Sequence, residues 1–358
     1  MTFPSQDLRD WFAQRQRPLP WRVADARGLR DPYRTWISEI MLQQTRVEAV
    51  IPYYEAFLEA FPTVDVLAAA EEEAVLQRWA GLGYYRRARF LHAAARQVVE
   101  NHEGCFPGNA QELRALPGIG AYTSAAIASL AFGEVVPVVD GNVKRVVSRW
   151  AGLELAADAP ALEKQVRTMT SVWMESLEEG DLQAPGQWNE ALMELGATLC
   201  LPRQALCAEC PLAQDCQAFA TDQVDALPLP KRAKKWVDLE MVFLVLRVGV
   251  RVLLEKREQG WIPGLYEPPS AICAPFETAK ESSVAHEATA HELAAEKQTV
   301  LGAYHGMVRH TITHHRIRAH VYSIGPTSEG ADSPPLQEPE AVPLTGLARK
   351  VLVQAQEG

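Results

Sequence analysis

Residues 116–123 read Leu-Pro-Gly-Ile-Gly-Ala-Tyr-Thr, and this stretch decides the fold of the first half of the chain. Before it, Asn109 is followed three residues later by an acid, a spacing that predicts a capped helix from Asn109. After it, the apolar run 124–132 predicts a second helix. Gly118 and Gly120 allow positive φ in the turn and leave backbone N–H groups uncovered at a helix N-terminus. The stretch therefore predicts an anion site between two helices.

The charge of the chain bears on which anion this hairpin could bind. A helix–hairpin–helix can hold a DNA phosphate through its amides, whereas the alternative is a Gly-rich turn that only joins two helices. The 358 residues carry a net charge of −10, which taken whole argues against nucleic acid. The excess is local, because residues 151–220 hold 11 acidic and three basic residues. We therefore expect an acidic face and, elsewhere, a positive groove formed by Arg22, Arg46, Arg86, Arg87, Arg89 and the basic run 231–235.

Length and periodicity indicate more than one domain. The 358 residues, with 47% apolar and 22% charged side chains, are typical of a globular protein with two domains. Apolar residues at helical spacing predict an α-helical domain over 1–220, followed by a linker at 221–236 and a smaller α+β domain at 237–350. No apolar run approaches the roughly 18 residues of a membrane span. With no secretory signal in residues 1–20, we expect a cytoplasmic protein, associated with the nucleoid if bacterial.

Two carboxylates stand at informative places in the helical domain. Asp140 follows an apolar stretch and precedes a helix, so it is a predicted N-cap, and a helix N-terminus also favours an ionised carboxylate. Glu39 lies at the border of the apolar side of a predicted helix over 33–43, where a Glu is usually solvated. Thr45, with an acid three residues later, predicts a capping box and hence a chain break at Gln44. A polar side chain at such a break is well placed to contact a partner.

Four of the six cysteines fall within 17 residues as C-x6-C-x2-C-x5-C, at Cys200, Cys207, Cys210 and Cys216. In a cytosolic chain such a cluster indicates a metal site, since thiolates are soft ligands. Structural zinc sites more often pair two short Cys knuckles, and only one is present here. Four thiolates from one looped segment favour a 4Fe–4S cluster, with zinc and four unrelated buried cysteines as the alternatives.

Together these motifs resemble the helix–hairpin–helix DNA glycosylases with an iron–sulfur loop, the endonuclease III superfamily, and within it the adenine DNA glycosylase (MutY) family. Besides the hairpin and the cysteine segment, the matching motifs are 19–22 (Leu-Pro-Trp-Arg), 36–45 (Trp-Ile-Ser-Glu-Ile-Met-Leu-Gln-Gln-Thr), 81–89 (Gly-Leu-Gly-Tyr-Tyr-Arg-Arg-Ala-Arg), 139–145 (Val-Asp-Gly-Asn-Val-Lys-Arg) and 189–197 (Asn-Glu-Ala-Leu-Met-Glu-Leu-Gly-Ala). The resemblance implies a mainly α-helical glycosylase domain with a 4Fe–4S loop and a smaller, MutT/Nudix-like α+β domain.

The resemblance implies a role for each residue of the predicted active site. Glu39 matches the acid that protonates adenine N7 and then helps to activate water, so its pKa should be raised. Asp140 matches the ionised carboxylate that stabilises the oxocarbenium-like sugar, and Asn142 and Tyr122 match supporting positions. Superfamily members that also cut the strand carry a Schiff-base Lys where this chain has Tyr122. We therefore expect base removal without efficient strand cleavage.

DNA contacts are implied by the same resemblance. They fall on Arg22, Gln44, Leu82, Tyr84, Gly118, Gly120, Thr313 and His314. Gln44 and Tyr84 would wedge into the duplex while the target base is flipped out. Thr313 and His314 would contact 8-oxoguanine, although Ile312 stands where the family usually has Phe. The second domain lacks the Nudix motif for magnesium, so we do not expect pyrophosphohydrolase activity.

These observations predict a monomeric adenine DNA glycosylase of base excision repair. Its partner would be double-stranded DNA with A:8-oxoguanine or A:G mispairs. One alternative is a mismatch thymine or uracil glycosylase of the same superfamily, against which the second domain argues. The other is a non-catalytic iron–sulfur DNA-binding protein, against which both carboxylates and the wedge residues argue.

Overall fold

The computed structural model describes residues 3–177, 180–231, 236–258, 263–273, 279–326 and 336–357. The chain divides into two compact units, Met1–Ala70 with Arg87–Ala233 and Glu71–Arg86 with Lys234–Gly358. The second unit thus includes an early segment that the predicted domain 1–220 placed in the first, and the domain limits themselves stay predictions. The basic positions 232–235 of the predicted linker lie outside the described residues.

The first unit is helical, as predicted. Along the chain, the helices before the sheet are α1 (Ser5–Arg15), α2 (Pro32–Leu42), α3 (Val47–Ala60), α4 (Val64–Ala69), α5 (Glu72–Trp79, in the second unit), α6 (Arg86–His102), α7 (Ala110–Leu113), α8 (Ala121–Phe132), α9 (Gly141–Ala151), α10 (Pro160–Met174), α11 (Ala184–Thr198) and α12 (Gln217–Ala220). Residues 123–131 of α8 are all buried, because this helix is apolar or small on every side. Helix α8 therefore lies in the interior of the unit.

The hairpin joins α7 and α8 as the sequence predicted. The Asn109 side chain accepts a hydrogen bond of 2.9 Å from the Glu112 N–H, which confirms the N-cap. Helix α8 begins at Ala121, three residues earlier than the apolar run suggested, and Gly120 is its N-cap. The hairpin residues Ala121 and Tyr122 are therefore already helical.

The chain break between α2 and α3 is also present, but its cause differs from the prediction. Gln44 has a φ of 58°, a left-handed conformation. The predicted capping box is wrong, because α3 begins only at Val47 and the Thr45 hydroxyl donates to a neighbouring carbonyl at 3.3 Å instead. Arg87, which we expected in a DNA-binding groove, donates to three carbonyl groups at the end of α2 over 2.6 to 2.9 Å. This guanidinium therefore terminates a helix.

The second unit has the expected smaller α+β character. Its later elements are β1 (Val237–Val245), β2 (Arg247–Val248), β3 (Arg251–Leu253), β4 (Glu255–Lys256), β5 (Tyr266–Glu267), β6 (Ser270–Ile272), α13 (Ala279–Glu296), β7 (Thr299–Ile312), β8 (His315–Pro326), β9 (Leu336–Gln337) and α14 (Gly346–Glu357). The largest sheet has the order β6–β1–β8–β7, with β1 and β8 parallel and the other pairs antiparallel. Alternate residues of β1 pack towards α14 on one face and towards α13 on the other.

Strands β7 and β8 form a long hairpin at one edge of this sheet. Besides two strands around Gly249, the alternation of the sequence predicts strands over 312–324, whereas β7 already begins at Thr299. Thr313 and His314 form the turn of the hairpin, and Thr313 has a φ of 55°. Among the described residues, no helix is long and apolar enough to cross a membrane.

Candidate active site

Glu39 is buried in the first unit, with 6% of its surface exposed, although its sequence position suggested the border of an apolar face. Helix α2 carries it, and α8 packs against α2. From α8, the Tyr122 hydroxyl donates a hydrogen bond of 2.6 Å to Glu39 Oε2. The two side chains are 83 residues apart in the chain, so only the packing of α2 on α8 brings them together.

Burial raises the pKa of Glu39 to about 7, while the hydrogen bond from Tyr122 lowers it and the nearby Glu190 raises it further. This agrees with the direction that the resemblance implied. Burial and the neighbouring Glu39 also raise the pKa of Tyr122 well above its ordinary value, so Tyr122 remains a hydrogen-bond donor. Near neutral pH, Glu39 can thus carry a proton and give it up.

Asp140 is the N-cap of α9, as predicted. One carboxylate oxygen accepts from the Val143 N–H at 2.7 Å and the other from Asn142 Nδ2 at 3.1 Å. Burial nevertheless raises the pKa of Asp140, and these hydrogen bonds only oppose that rise. The hydrogen bonds at the helix N-terminus favour the ionised form of Asp140, but they do not by themselves cancel the effect of burial on its pKa. Asp140 and Glu39 are close enough to influence each other electrostatically.

Helix α9 also connects the Asp140 region to the cysteine segment. Arg145 donates to Asn142 Oδ1 at 2.9 Å and, through Nε, to the carbonyl of Cys200 at 2.7 Å. One turn further on, Arg149 is buried and donates to Cys200 Sγ at 3.3 Å and to the Leu201 carbonyl at 2.7 Å. Sequence reasoning missed both arginines, although their spacing of four residues places them on one face of α9.

The four clustered cysteines line one cavity of the first unit, together with apolar residues of α9 and α11. Burial raises the pKa of the Cys207, Cys210 and Cys216 thiols, to about 12 for Cys210. Within the described part of the chain, no three His, Cys, Asp or Glu side chains are already arranged to hold a metal ion. The donor set itself, four sulfur atoms from one segment around one cavity, fits a thiolate-ligated iron–sulfur cluster.

Arg22 lies in a buried ion-pair network. Its Nε contacts Glu190 at 3.1 Å and its Nη2 contacts Glu194 at 2.9 Å, and only 10% of its side chain is exposed. Arg30 contacts Glu190 as well, and Arg17 contacts Glu194 at 2.7 Å. Burial raises the pKa of Glu194, but hydrogen bonds from Arg17 and Arg22 outweigh burial and lower it to about 2. A DNA contact of Arg22 stays a prediction, and sequence reasoning missed its two acidic partners.

The other predicted DNA contacts of the first unit lie at turns. Gln44 is exposed in its left-handed conformation. Gly118 has a φ of 74°, and a Cβ there would lie 2.5 Å from Phe90 Cβ, so both backbone and space require Gly. Gly120 has an ordinary φ of −90° and open space around its missing Cβ. Of the two hairpin glycines, only Gly118 has a backbone conformation and surroundings that exclude a larger residue.

The remaining predicted contacts belong to the second unit. Tyr84 is 52% exposed with a φ of 50°, whereas Leu82, two residues earlier, is buried. The Tyr85 hydroxyl anchors this segment by donating to the Leu344 carbonyl at 3.0 Å. Thr313 and His314 are exposed at the β7–β8 turn. Exposure thus suits Tyr84, Thr313 and His314 for contact with a partner, and the contacts themselves stay predictions.

The helical fold and its hairpin are those of a base excision DNA repair protein, because residues 37–171 match the model of the HhH-GPD superfamily base excision DNA repair protein. The chain is 39% identical over 302 residues to an adenine DNA glycosylase of Arabidopsis thaliana, covering 74% of this chain and 47% of the relative. It is 33% identical to an adenine DNA glycosylase of Buchnera aphidicola subsp. Baizongia pistaciae, covering 71% and 69%. The chain belongs to the adenine DNA glycosylase family.

A solved structure of a thermostable thymine-DNA glycosylase is also similar. Its TM-score is 0.51 at 25% identity, and the match covers 61% of this chain and 95% of that one. The family model matches residues 37–171, which lie in the mainly helical part of the chain before the sheet. The chain spans about half the length of the Arabidopsis relative.

The raised pKa of Glu39 predicts how the stability of the protein changes with pH. Between about pH 4.5, the ordinary value, and about pH 7, the unfolded chain releases this proton while the folded chain keeps it. The free energy of unfolding should therefore fall across this range relative to Glu39→Gln. Above it, the difference in unfolding free energy between the two proteins should have shifted by about 3 kcal/mol in favour of the Gln variant, relative to the difference at low pH. Urea unfolding of both proteins over a pH series measures this; a difference that does not vary with pH contradicts it.

The hairpin predicts unequal effects at its two glycines. Gly118→Ala forces a side chain into a left-handed conformation and against Phe90, so it should lower the free energy of unfolding by about 1–3 kcal/mol. Gly120→Ala is the matched control, and its cost should stay under about 1 kcal/mol because its φ and its space are ordinary. Urea unfolding compares the two variants, and equal losses would show that the hairpin is not constrained as described.

Proposed function

We propose that this chain is a glycosylase that removes adenine paired with 8-oxoguanine or guanine in double-stranded DNA, as part of base excision repair. The observation that carries the proposal is the buried Glu39, with a pKa of about 7 and a hydrogen bond from Tyr122. It lies within electrostatic reach of Asp140. A pair of neighbouring carboxyl groups, one to donate a proton and one to stabilise the sugar cation, is what cleavage of a glycosidic bond requires. Membership of the adenine DNA glycosylase family supports adenine as the target.

Glu39 acts first as the acid in the proposed reaction. Breaking the bond between adenine and the sugar leaves the bonding electron pair on the base, and a proton from Glu39 to adenine N7 neutralises that charge. The sugar becomes an oxocarbenium-like cation, which the carboxylate of Asp140 stabilises. Water then adds to the sugar and gives its proton to the Glu39 carboxylate. The products are free adenine and an abasic site.

Tyr122 limits the reaction to base removal. A phenol cannot form the imine that a Lys at this position would form with the sugar, so the strand is left uncut. The hydroxyl of Tyr122 instead lowers the pKa of Glu39 and keeps it within reach of neutral pH. Asn142 supports Asp140 through the 3.1 Å hydrogen bond described above.

The proposed DNA contacts follow from exposure and resemblance together. Gln44 and Tyr84 wedge into the duplex to extrude the adenine, while the amides next to Gly118 hold a phosphate. Thr313 and His314 contact 8-oxoguanine opposite the target base. We further propose that the protein acts as a monomer in the cytoplasm.

We propose a 4Fe–4S cluster as the cofactor, held by Cys200, Cys207, Cys210 and Cys216. The support is the set of four sulfur donors around one cavity. When bound, the cluster supplies a covalent cross-link of the segment that follows α11. Arg145 and Arg149 then connect that segment to α9, and so to Asp140.

An excision assay tests the proposed function. Duplexes that contain A:8-oxoguanine, A:G, T:G or U:G are incubated with the protein and then cleaved at abasic sites with alkali. We expect cleavage at the adenine of the first two duplexes and intact strands when alkali is omitted. Glu39→Gln should lower the single-turnover rate by about 10²–10⁴-fold, because the proton donor is lost.

Two controls make this assay decisive. Glu55→Gln, an exposed substitution on α3, should keep the wild-type rate. Intact A:8-oxoguanine and A:G duplexes beside cleaved T:G or U:G would assign the protein to mismatch thymine or uracil glycosylases instead. Binding to every duplex without cleavage of any would indicate a non-catalytic protein, and a normal rate in Glu39→Gln would remove Glu39 from the mechanism.

The cluster has its own test in the metal content of the purified protein. We expect iron, acid-labile sulfide and a visible thiolate-to-iron absorbance in the wild type, and the loss of most of the iron in Cys210→Ser. The matched control is Cys105→Ser, an exposed cysteine outside the segment, which should keep wild-type iron content. Zinc without iron in the wild type would contradict the proposal.

A further inference from the structure

A basic groove lies on the sheet of the second unit, and none of the residues that line it has a role in the proposed chemistry. We define the basic groove by its lining residues Asp238, Arg309, His310, Thr311, Arg316, Ile317, Arg318 and Lys350. They come from β1, β7, β8 and α14, and the groove has a volume of about 930 Å³. Four of these side chains are cationic and one is acidic. The net charge of the chain, −10, conceals this local excess.

Two arginines of the basic groove lie directly opposite each other on adjacent strands. Arg309 on β7 and Arg318 on β8 are direct cross-strand partners, and both are exposed. Like charges directly opposite each other destabilise a sheet. Arg318 has Glu240 as its partner on β1, whereas Arg309, on the edge strand, has Arg318 as its register partner. A bound anion between or above them would remove the repulsion.

The acids near the basic groove balance only part of its charge. Arg316 pairs with Asp238 over 2.6 and 2.7 Å, and Arg318 pairs with Glu240 at 2.5 Å. Within the described residues, Arg309 and Lys350 form no ion pair, and Lys350 Nζ donates only to the neutral Arg309 carbonyl at 3.3 Å. Two cations are thus left without a carboxylate partner.

The position of the basic groove indicates which anion it receives. Thr311 and Arg316 are register partners one pair away from the turn that carries Thr313 and His314. Strand β7 is at the edge of its sheet, so no further strand of the described residues borders the groove beyond β7. A base contacted by the turn would therefore place its own backbone phosphates beside Arg309 and Lys350.

We propose that the basic groove binds backbone phosphates of duplex DNA next to the base that the β7–β8 turn contacts. This proposal rests on the proposed function, because it takes DNA as the partner of that turn. It adds Arg309 and Lys350 as residues that position the duplex without reading its sequence. The contacts are electrostatic and act through counterion release, so they must appear in the salt dependence of binding.

The experiment measures duplex affinity by fluorescence anisotropy over a series of salt concentrations. All proteins are full-length and carry Glu39→Gln, so that an A:8-oxoguanine duplex is not consumed. Arg309→Gln and Lys350→Gln are made singly and together. The matched control is Arg349→Gln, which is exposed on α14 beside Lys350 but does not line the basic groove.

We expect each substitution in the basic groove to weaken binding. The negative slope of log affinity against log salt should become less steep by about 0.9 for each single variant and by about 1.8 for the double variant. The control should keep the wild-type slope. A double variant with the slope and affinity of the control overturns the proposal. So does a loss of affinity for an RNA hairpin or an acidic peptide while duplex DNA still binds normally.

Failure of this proposal is distinguishable from failure of the proposed function. The wild-type excision assay tests the function without reference to the basic groove. If the protein binds duplex with the expected slopes but removes no base, the proposal for the basic groove holds and the proposed function is wrong. If the protein excises adenine but the double variant binds like the control, only the proposal for the basic groove is wrong.

Discussion

The cost of burying a carboxylate is the constraint on which the first unit depends. Glu39, Glu190 and Glu194 are all removed from water, and an unpaired charge in such surroundings is expensive. The chain meets this cost in two ways. Arg22 and Arg30 form ion pairs with Glu190, and hydrogen bonds from Arg17 and Arg22 lower the pKa of Glu194 to about 2. Glu39 instead accepts a hydrogen bond from the Tyr122 hydroxyl, and burial raises its pKa to about 7 although that hydrogen bond opposes the rise. The difference between the partners determines which carboxyl group can act as an acid.

Helix α9 joins the parts of the site that the sequence presents separately. Its N-terminus holds Asp140, and its side carries Arg145 and Arg149, which bind carbonyl groups of the cysteine segment. A shift of that segment would therefore move Arg145 and Asn142, and with them the hydrogen bond that Asn142 donates to the Asp140 carboxylate. The acidic excess of residues 151–220 does not lie on the surface alone. Glu190 and Glu194 belong to it, and both are buried in ion pairs.

Local features could be predicted because a few neighbouring residues cause them. The N-caps at Asn109 and Asp140 need only one side chain and an amide three residues on. The break at Gln44 was predicted for the wrong reason, since a capping box and a left-handed residue leave the same interruption in a helical pattern. The start of β7 was missed because half-exposed strands such as Thr299–Ile312 show no clean alternation.

The sequence by itself determined the helical class of the first unit, the hairpin and the four clustered cysteines, since each depends on residues adjacent in the chain. It also determined the family, because the motifs are contiguous. Only the tertiary structure decided that Glu39 is buried beside Tyr122, that Arg22 and Arg87 have protein partners, and that Arg309 and Arg318 face each other. These facts depend on desolvation and on contacts between residues far apart in the chain, and neither is encoded in any single stretch of sequence.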